Sequence, residues 1–246
     1  MPDPGRAHHD RYAVKLPSAK PDYPALPWTC AGATMINVYF EVLKGVLLDR
    51  LPPEFNRTSP PYCRLFVFDQ PNSPVGAFRD ASLTLGCRLT MMPAAFVAAS
   101  MTNNAKVFAA GLFERGYPSA LGTIDLELEK TRARVSIKDA QGLLVTLLLP
   151  SLQTIEPGRL AYDHVDAIKT LADGKTELLV TAPDLEIESA AICKDAQIEY
   201  PDETRDTPWH TLRNHNMVSA QVARGTRTFA AGHQPGMQPA PIPAGS

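Results

Sequence analysis

The side chains of this 246-residue chain best suited to chemistry cluster between Phe78 and Gly122. That stretch holds Phe78-Arg-Asp-Ala-Ser-Leu-Thr-Leu-Gly-Cys87, then Thr102-Asn-Asn-Ala-Lys-Val-Phe-Ala-Ala-Gly111, and then Gly116-Tyr-Pro-Ser-Ala-Leu-Gly122. It offers a carboxylate at Asp80, a Glu114/Arg115 pair behind Phe113, a phenol at Tyr117 and a hydroxyl at Ser119. Those types suit proton transfer and oxyanion binding. Other chemistries lack their motifs. Neither a phosphate-cradling Gly-rich loop, an HExxH pair nor a GxSxG elbow occurs. Of the six histidines, His8, His9 and His233 sit near the ends, and His210 and His215 are five apart, off one helical face. With His164 remote in sequence, no metal site is expected. Cys30, Cys63, Cys87 and Cys193 are far apart without a CxxC pair, and read as small buried hydrophobes. No cofactor is expected.

Composition excludes further classes. Lys and Arg total 24 against 26 Asp and Glu, and the pI is ≈ 6.3, so a nucleic-acid partner is not expected. No apolar run reaches the ~18 to 20 residues that span a bilayer. The N-terminus lacks a signal-peptide core, which makes a cytoplasmic location the expectation. Six of the 23 prolines fall in residues 1–29 and four in 230–246. The expected organisation is therefore an extended Pro-rich arm (1–29), one domain (30–229) and a disordered Pro-rich tail (230–246).

The elements that must position these residues are mostly strands. Strand-like runs cover Ala33–Val42, Tyr62–Asp69, Ser82–Met92, Lys106–Phe113, Thr123–Glu129, Arg132–Asp139, Leu143–Leu149, Leu178–Thr181 and Leu185–Tyr200. Thr123-Ile-Asp-Leu-Glu-Leu-Glu129 alternates cleanly, as an antiparallel strand with one wet face does. Asp139-Ala-Gln-Gly142 reads as a hairpin turn. Helix signals are confined to Leu43–Leu51, stopped by Pro52-Pro53, and to Pro208–Arg224. The predicted class is mainly β (α+β), an antiparallel barrel-like or cone-shaped sheet with few peripheral helices.

The three segments quoted above, together with Leu51-Pro-Pro-Glu-Phe55 after the first helix, resemble the acetoacetate decarboxylase superfamily over roughly residues 30–225. That family has an aromatic-x-acid-x-x-Leu segment, an acidic/Asn turn leading into a strand that ends Gly-Arg-Glu, and a Gly-Tyr-Pro-Lys-Lys-Leu-type loop. The resemblance implies an antiparallel cone-like fold assembled into oligomers. It also implies a departure. The family's first lysine forms a Schiff base with a ketone, and the second helps to depress its pKa. Here Ser119 and Ala120 occupy those positions, and Leu112 and Phe113 replace the Arg-Glu pair. A serine cannot form an iminium, so the family's decarboxylation route is closed at this position.

What the resemblance implies for the pocket is a gathering of Asp80, Tyr117 and Ser119 as catalytic groups, with Glu114, Arg115 and Phe113 binding substrate. A carboxylate in apolar surroundings becomes a better base, Tyr117 can donate to an oxyanion, and Arg115 can hold a carboxylate. The expected function is a cofactor-independent lyase or cyclase. It would use acid–base chemistry of the retro-aldol, dehydration or decarboxylation type on a small aromatic or keto-containing substrate, as a homo-oligomer without membrane partners. The competing reading is a non-catalytic small-ligand binding protein on the same fold. Residue by residue, Asp80 could instead cap a turn, Tyr117-Pro118 could shape a loop, Ser119 could be filler, Glu114 and Arg115 could be a solvated pair, and His215 could be a core histidine.

Overall fold

The computed structural model describes residues 3–12, 14, 16–89, 92–159, 166–172, 175–181, 184–203 and 205–234. His164 and residues 235–246 of the expected tail lie outside the described residues. In chain order the elements are β1 (Trp28–Glu41), α1 (Lys44–Leu48), β2 (Asn56–Arg57), β3 (Tyr62–Gln70), β4 (Phe78–Leu89), β5 (Met92–Thr102), α2 (Ala105–Arg115), β6 (Ser119–Leu121), β7 (Thr123–Leu128), β8 (Ala133–Asp139), β9 (Gly142–Leu149), β10 (Gln153–Ile155), β11 (Asp166–Ala172), β12 (Lys175–Thr181), β13 (Asp184–Cys193), β14 (Gln197–Glu199), α3 (Pro208–Thr211) and β15 (Asn216–Phe229).

Strands alternate their side chains between faces, and here two sheets use that alternation to enclose one core. The larger sheet runs β10-β13-β15-β1-β3-β4-β5-β11-β12, with β2 added to β4 and β6 to β5; the smaller runs β14-β9-β8-β7. One face of the large sheet, carrying Ile36, Val38, Leu65, Val67, Leu83 and Leu85, packs on the inner face of the small sheet, with Val135, Ile137, Val145 and Leu147. The opposite face is buried too, but it mixes apolar Met35, Phe66 and Phe68 with Asn37, Arg64, Asp80 and Arg227. This polar-lined face holds the candidate site.

The pairing is antiparallel except where β5 meets β6 and β11, both parallel to it. The sheet is thus mixed rather than wholly antiparallel, and its end strands β10 and β12 do not pair, so it is not a closed barrel. Among the described residues no helix is long and apolar enough to cross a membrane. The first segment lies against the body: Gly5 and Ala7 donate backbone hydrogen bonds to the carbonyls of Phe55 and Leu51 (2.9 and 3.0 Å), and Ala7, Tyr12 and Val14 are buried.

Two elements differ in type from the sequence expectation. Lys106–Phe113, expected as a strand, is the middle of α2. Asn104 caps it, its Oδ1 accepting from the Lys106 and Val107 amides (2.9 and 3.3 Å), and Gly116 ends it at φ 66. The apolar run is continuous, so its period does not separate strand from helix; the caps do. Pro208–Arg224, expected as a helix, is helical only over Pro208–Thr211, and residues 216–229 form the long strand β15. Between β13 and β1 both faces of β15 are buried at Ala220–Ala223, which hides the two-residue alternation in its first half. Strand β5 was not anticipated either: Ala94-Ala-Phe-Val-Ala-Ala is rich in alanine, which carries little strand signal.

Candidate active site

The site lies between α2 and the polar-lined face of the large sheet. Its lining includes Asp80 from β4, Ser100 and Thr102 from β5, Arg115 from α2, Tyr117, Ser119 from β6 and Phe229 from β15. The open space is ≈ 10 Å³, about what one water requires. Three backbone hydrogen bonds fix this geometry. The Tyr117 amide donates to the Gly111 carbonyl (2.9 Å), the Ser119 amide to the Tyr117 carbonyl (2.7 Å) and the Ser100 amide to the Pro118 carbonyl (3.2 Å). Helix and loop also meet where Gly111 faces Ser119: a Cβ on Gly111 would run into the Ser119 hydroxyl, so glycine permits the close approach.

The electrostatics are set by two buried guanidinium groups around one ring. Arg227 Nη1 donates to both Asp80 carboxylate oxygens (2.9 and 3.2 Å), and its guanidinium lies 3.5 Å from the Phe68 ring centroid and 5.3 Å from that of Phe229. Arg115 sits 4.1 Å from the Tyr117 ring centroid and 4.4 Å from that of Phe229. Phe229 in turn stacks on Trp28 at 5.2 Å. Stacking on rings holds both cations where water is scarce. Two guanidinium groups and one carboxylate are thus gathered around the Phe229 ring. Tyr117 Oη is 2.7 Å from Thr181 Oγ1, which fixes the phenol's direction. Burial, with smaller opposite effects from Arg227 and Asp80, pushes the Cys30 thiol up to about 11, so it is a thiol and not a nucleophile at neutral pH.

Of the residues singled out from sequence, Asp80, Arg115, Tyr117 and Ser119 come together. Glu114 does not. Its carboxylate is paired with Lys20 and accepts from Tyr23 Oη (3.1 Å), and its carbonyl accepts from the Gly232 amide (2.8 Å), so it ties both terminal segments to α2. Phe113 is half-buried outside the lining. The picture of Asp80 as a carboxylate in purely apolar surroundings is replaced by one of an anion held by a buried cation, because Arg227 counters the cost of burying charge. Arg227, Phe229, Ser100 and Thr102 were missed. The signal for the first two was the alternation Gly225-Thr-Arg-Thr-Phe229, which puts Arg227 and Phe229 on one face. His210 is buried and His215 exposed. Among the described residues no lysine lines the site, and no three His, Cys, Asp or Glu side chains converge as metal ligands.

No protein-family model matches the chain, and no curated protein does. Solved structures do. An acetoacetate decarboxylase superposes with a TM-score of 0.73 at 13% identity, over 86% of this chain and 90% of that one. The acetoacetate decarboxylase of Legionella pneumophila subsp. pneumophila str. Philadelphia 1 gives 0.71 at 15% identity, over 91% and 92%. The enduracididine biosynthesis enzyme MppR, complexed with pyruvate, gives 0.70 at 15% identity, over 88% and 92%. With its two-sheet body and the site between α2 and β6, this chain has the acetoacetate decarboxylase-like fold.

Proposed function

We propose that this protein is a cofactor-independent lyase or cyclase that works by acid–base chemistry, without a Schiff base, on a small keto acid. What carries the reading is Ser119, which stands where the resemblance puts the family's lysine and shares the site lining with the held carboxylate of Asp80 and the guanidinium of Arg115. Arg115 binds the substrate carboxylate. Asp80, steered by Arg227, takes a proton from the carbon next to the ketone, and Tyr117 donates to the oxygen on which the enolate charge develops. The positive charge of the two arginines lowers the energy of that enolate, the role an iminium plays in a lysine enzyme. From an enolate, β-elimination of water and aldol ring closure follow without metal or imine; aldol cleavage is the reverse step, in which Asp80 takes the proton of the β-hydroxyl, the Cα–Cβ bond breaks and the same enolate is released. The pyruvate complex of MppR supports a keto acid as ligand for this fold.

The test is deuterium exchange. In D2O the wild type should wash deuterium into the methyl group of pyruvate, followed by proton NMR, and Asp80→Asn should lose at least about 100-fold of that rate, as removal of a general base does. Borohydride with pyruvate should leave the protein mass unchanged; a trapped adduct ends the reading. The second reading, a keto acid binding protein, is favoured by the ion pair that already occupies Asp80. It predicts pyruvate binding with no exchange.

A further inference from the structure

The space inside the site is too small for the substrate proposed for it. A volume of ≈ 10 Å³ holds one water and not a keto acid, so a neighbouring element must move before anything larger enters. The lining shows which one. Val107, Gly111 and Arg115 recur at every fourth residue and form one face of α2, while the rest of the lining comes from strands and from Tyr117. The strands are held in the large sheet by backbone pairing. Helix α2 lies on that sheet through apolar contacts instead, with Val107 and Ala110 in one cluster with Trp28, Phe78 and Phe229. It is bounded by the Asn104 cap and by left-handed Gly116, and such element ends are where hinges act.

What holds α2 down sits beside Arg115. The Glu114 carboxylate pairs with Lys20 and accepts from Tyr23 Oη (3.1 Å), both in the segment before β1. Its carbonyl accepts from the Gly232 amide (2.8 Å), in the segment after β15. That segment is also bridged to β12, where Val180 and His233 exchange backbone hydrogen bonds (2.8 and 3.0 Å). A Cβ on Gly232 would meet Leu179 Cβ, the Glu114 carbonyl and Thr181 Cγ2 (3.1, 3.3 and 3.4 Å), so the chain there is wedged between α2 and β12. Thr181 in turn is the partner of the Tyr117 phenol. One residue of α2 outside the lining thus ties the helix to both terminal segments. The Lys20–Glu114 pair is partly solvated, with side-chain exposures of 52% and 28%, so breaking it costs little. We propose that α2 is the lid of the site and that Glu114 is the latch that holds it shut. The proposal rests on the keto acid reading above and adds how that ligand enters.

The double variant Lys20→Met/Tyr23→Phe removes the latch's side-chain partners, keeps their apolar bodies and alters neither α2 nor the lining. Hydrogen exchange read by mass spectrometry should show the α2 amides exchanging at least about tenfold faster, the equivalent of one hydrogen bond to a charged group, with those of β8 and β9 unchanged. In stopped flow, followed by the fluorescence of Trp28 on the Phe229 ring, pyruvate should associate and dissociate faster by a like factor. The dissociation constant should stay within about twofold, since the latch closes the empty and the loaded site alike. Unchanged exchange in α2 overturns the latch. So does acceleration that extends to β8 and β9, which marks the contacts as general stabilisation. Faster local exchange with unaltered pyruvate rates overturns the lid. If neither protein binds pyruvate, the keto acid reading falls, and the exchange measurement, which needs no ligand, decides lid and latch on its own.

Discussion

At the scale of single residues, the pair Asp80–Arg227 is both the candidate machinery and a structural commitment. Arg227 side-chain exposure is 3% and that of Asp80 12%. Removing one partner leaves the other charge buried, which costs about 3–5 kcal/mol. Asp80→Asn should therefore lower the urea midpoint steeply as well as stop exchange. The double variant Asp80→Asn/Arg227→Met should recover much of the stability and none of the activity; additive losses would show that the two side chains are not coupled. Ser119 allows the converse experiment. In Ser119→Lys the new amine is placed near the Arg115 cation in a largely dry site, and both factors depress an amine's pKa. Borohydride with pyruvate should then trap a protein adduct on the variant and none on the wild type, detected by mass spectrometry.

At the scale of elements, the site depends on how closely neighbouring segments approach. Gly225 in β15 faces β13 at its bulge between Ile187 and Ser189, and a Cβ there would fall inside the carbonyl of Glu186. The obstacle is backbone, which cannot swing aside. Gly225→Ala should thus cost at least the ~1–3 kcal/mol of ordinary overpacking, read as a lower urea midpoint at unchanged m-value. Since β15 carries Arg227 and Phe229, the same variant should weaken pyruvate binding. Helix α2 shows why element type was only partly legible. Its caps, Asn104 and Gly116, stand in the sequence, but its apolar run Val-Phe-Ala-Ala-Gly-Leu-Phe is continuous, and continuous runs serve buried strands and buried helices alike. By contrast Thr123–Leu128, at the edge of the small sheet with one wet face, was read correctly from its alternation.

At the scale of the whole molecule, pH should act through His210. The ring is buried at the end of α3, and its Nδ1 accepts from the Arg205 amide (2.9 Å). Burial first, then the charge of Arg205, pushes its pKa below the ordinary 6.5, although a backbone contact at Leu143 and the charge of Asp139 oppose this. The folded protein thus holds fewer protons at this site than the unfolded chain does once pH falls below about 6.5. Stability should be level above that value and decline as pH drops toward the folded-state pKa. His210→Asn, which keeps an acceptor and does not titrate, should flatten this part of a plot of urea midpoint against pH. An unchanged slope would place the titration elsewhere.

The sequence by itself determined the β-rich class and the hairpin at Asp139–Gly142, because each is written in local alternation or turn chemistry. It also brought Asp80, Arg115, Tyr117 and Ser119 to notice, since all four lie within 40 residues of one another. Arg227 lies 147 residues from Asp80, and the cross-strand neighbours Asn37 and Gln221 are drawn from opposite ends of the chain. Only strand order and register, set by the burial of both faces of the large sheet, bring such residues together. Tertiary structure also sent Glu114 outward to Lys20, a direction fixed by its place on the turn of α2 and not by its neighbours in sequence.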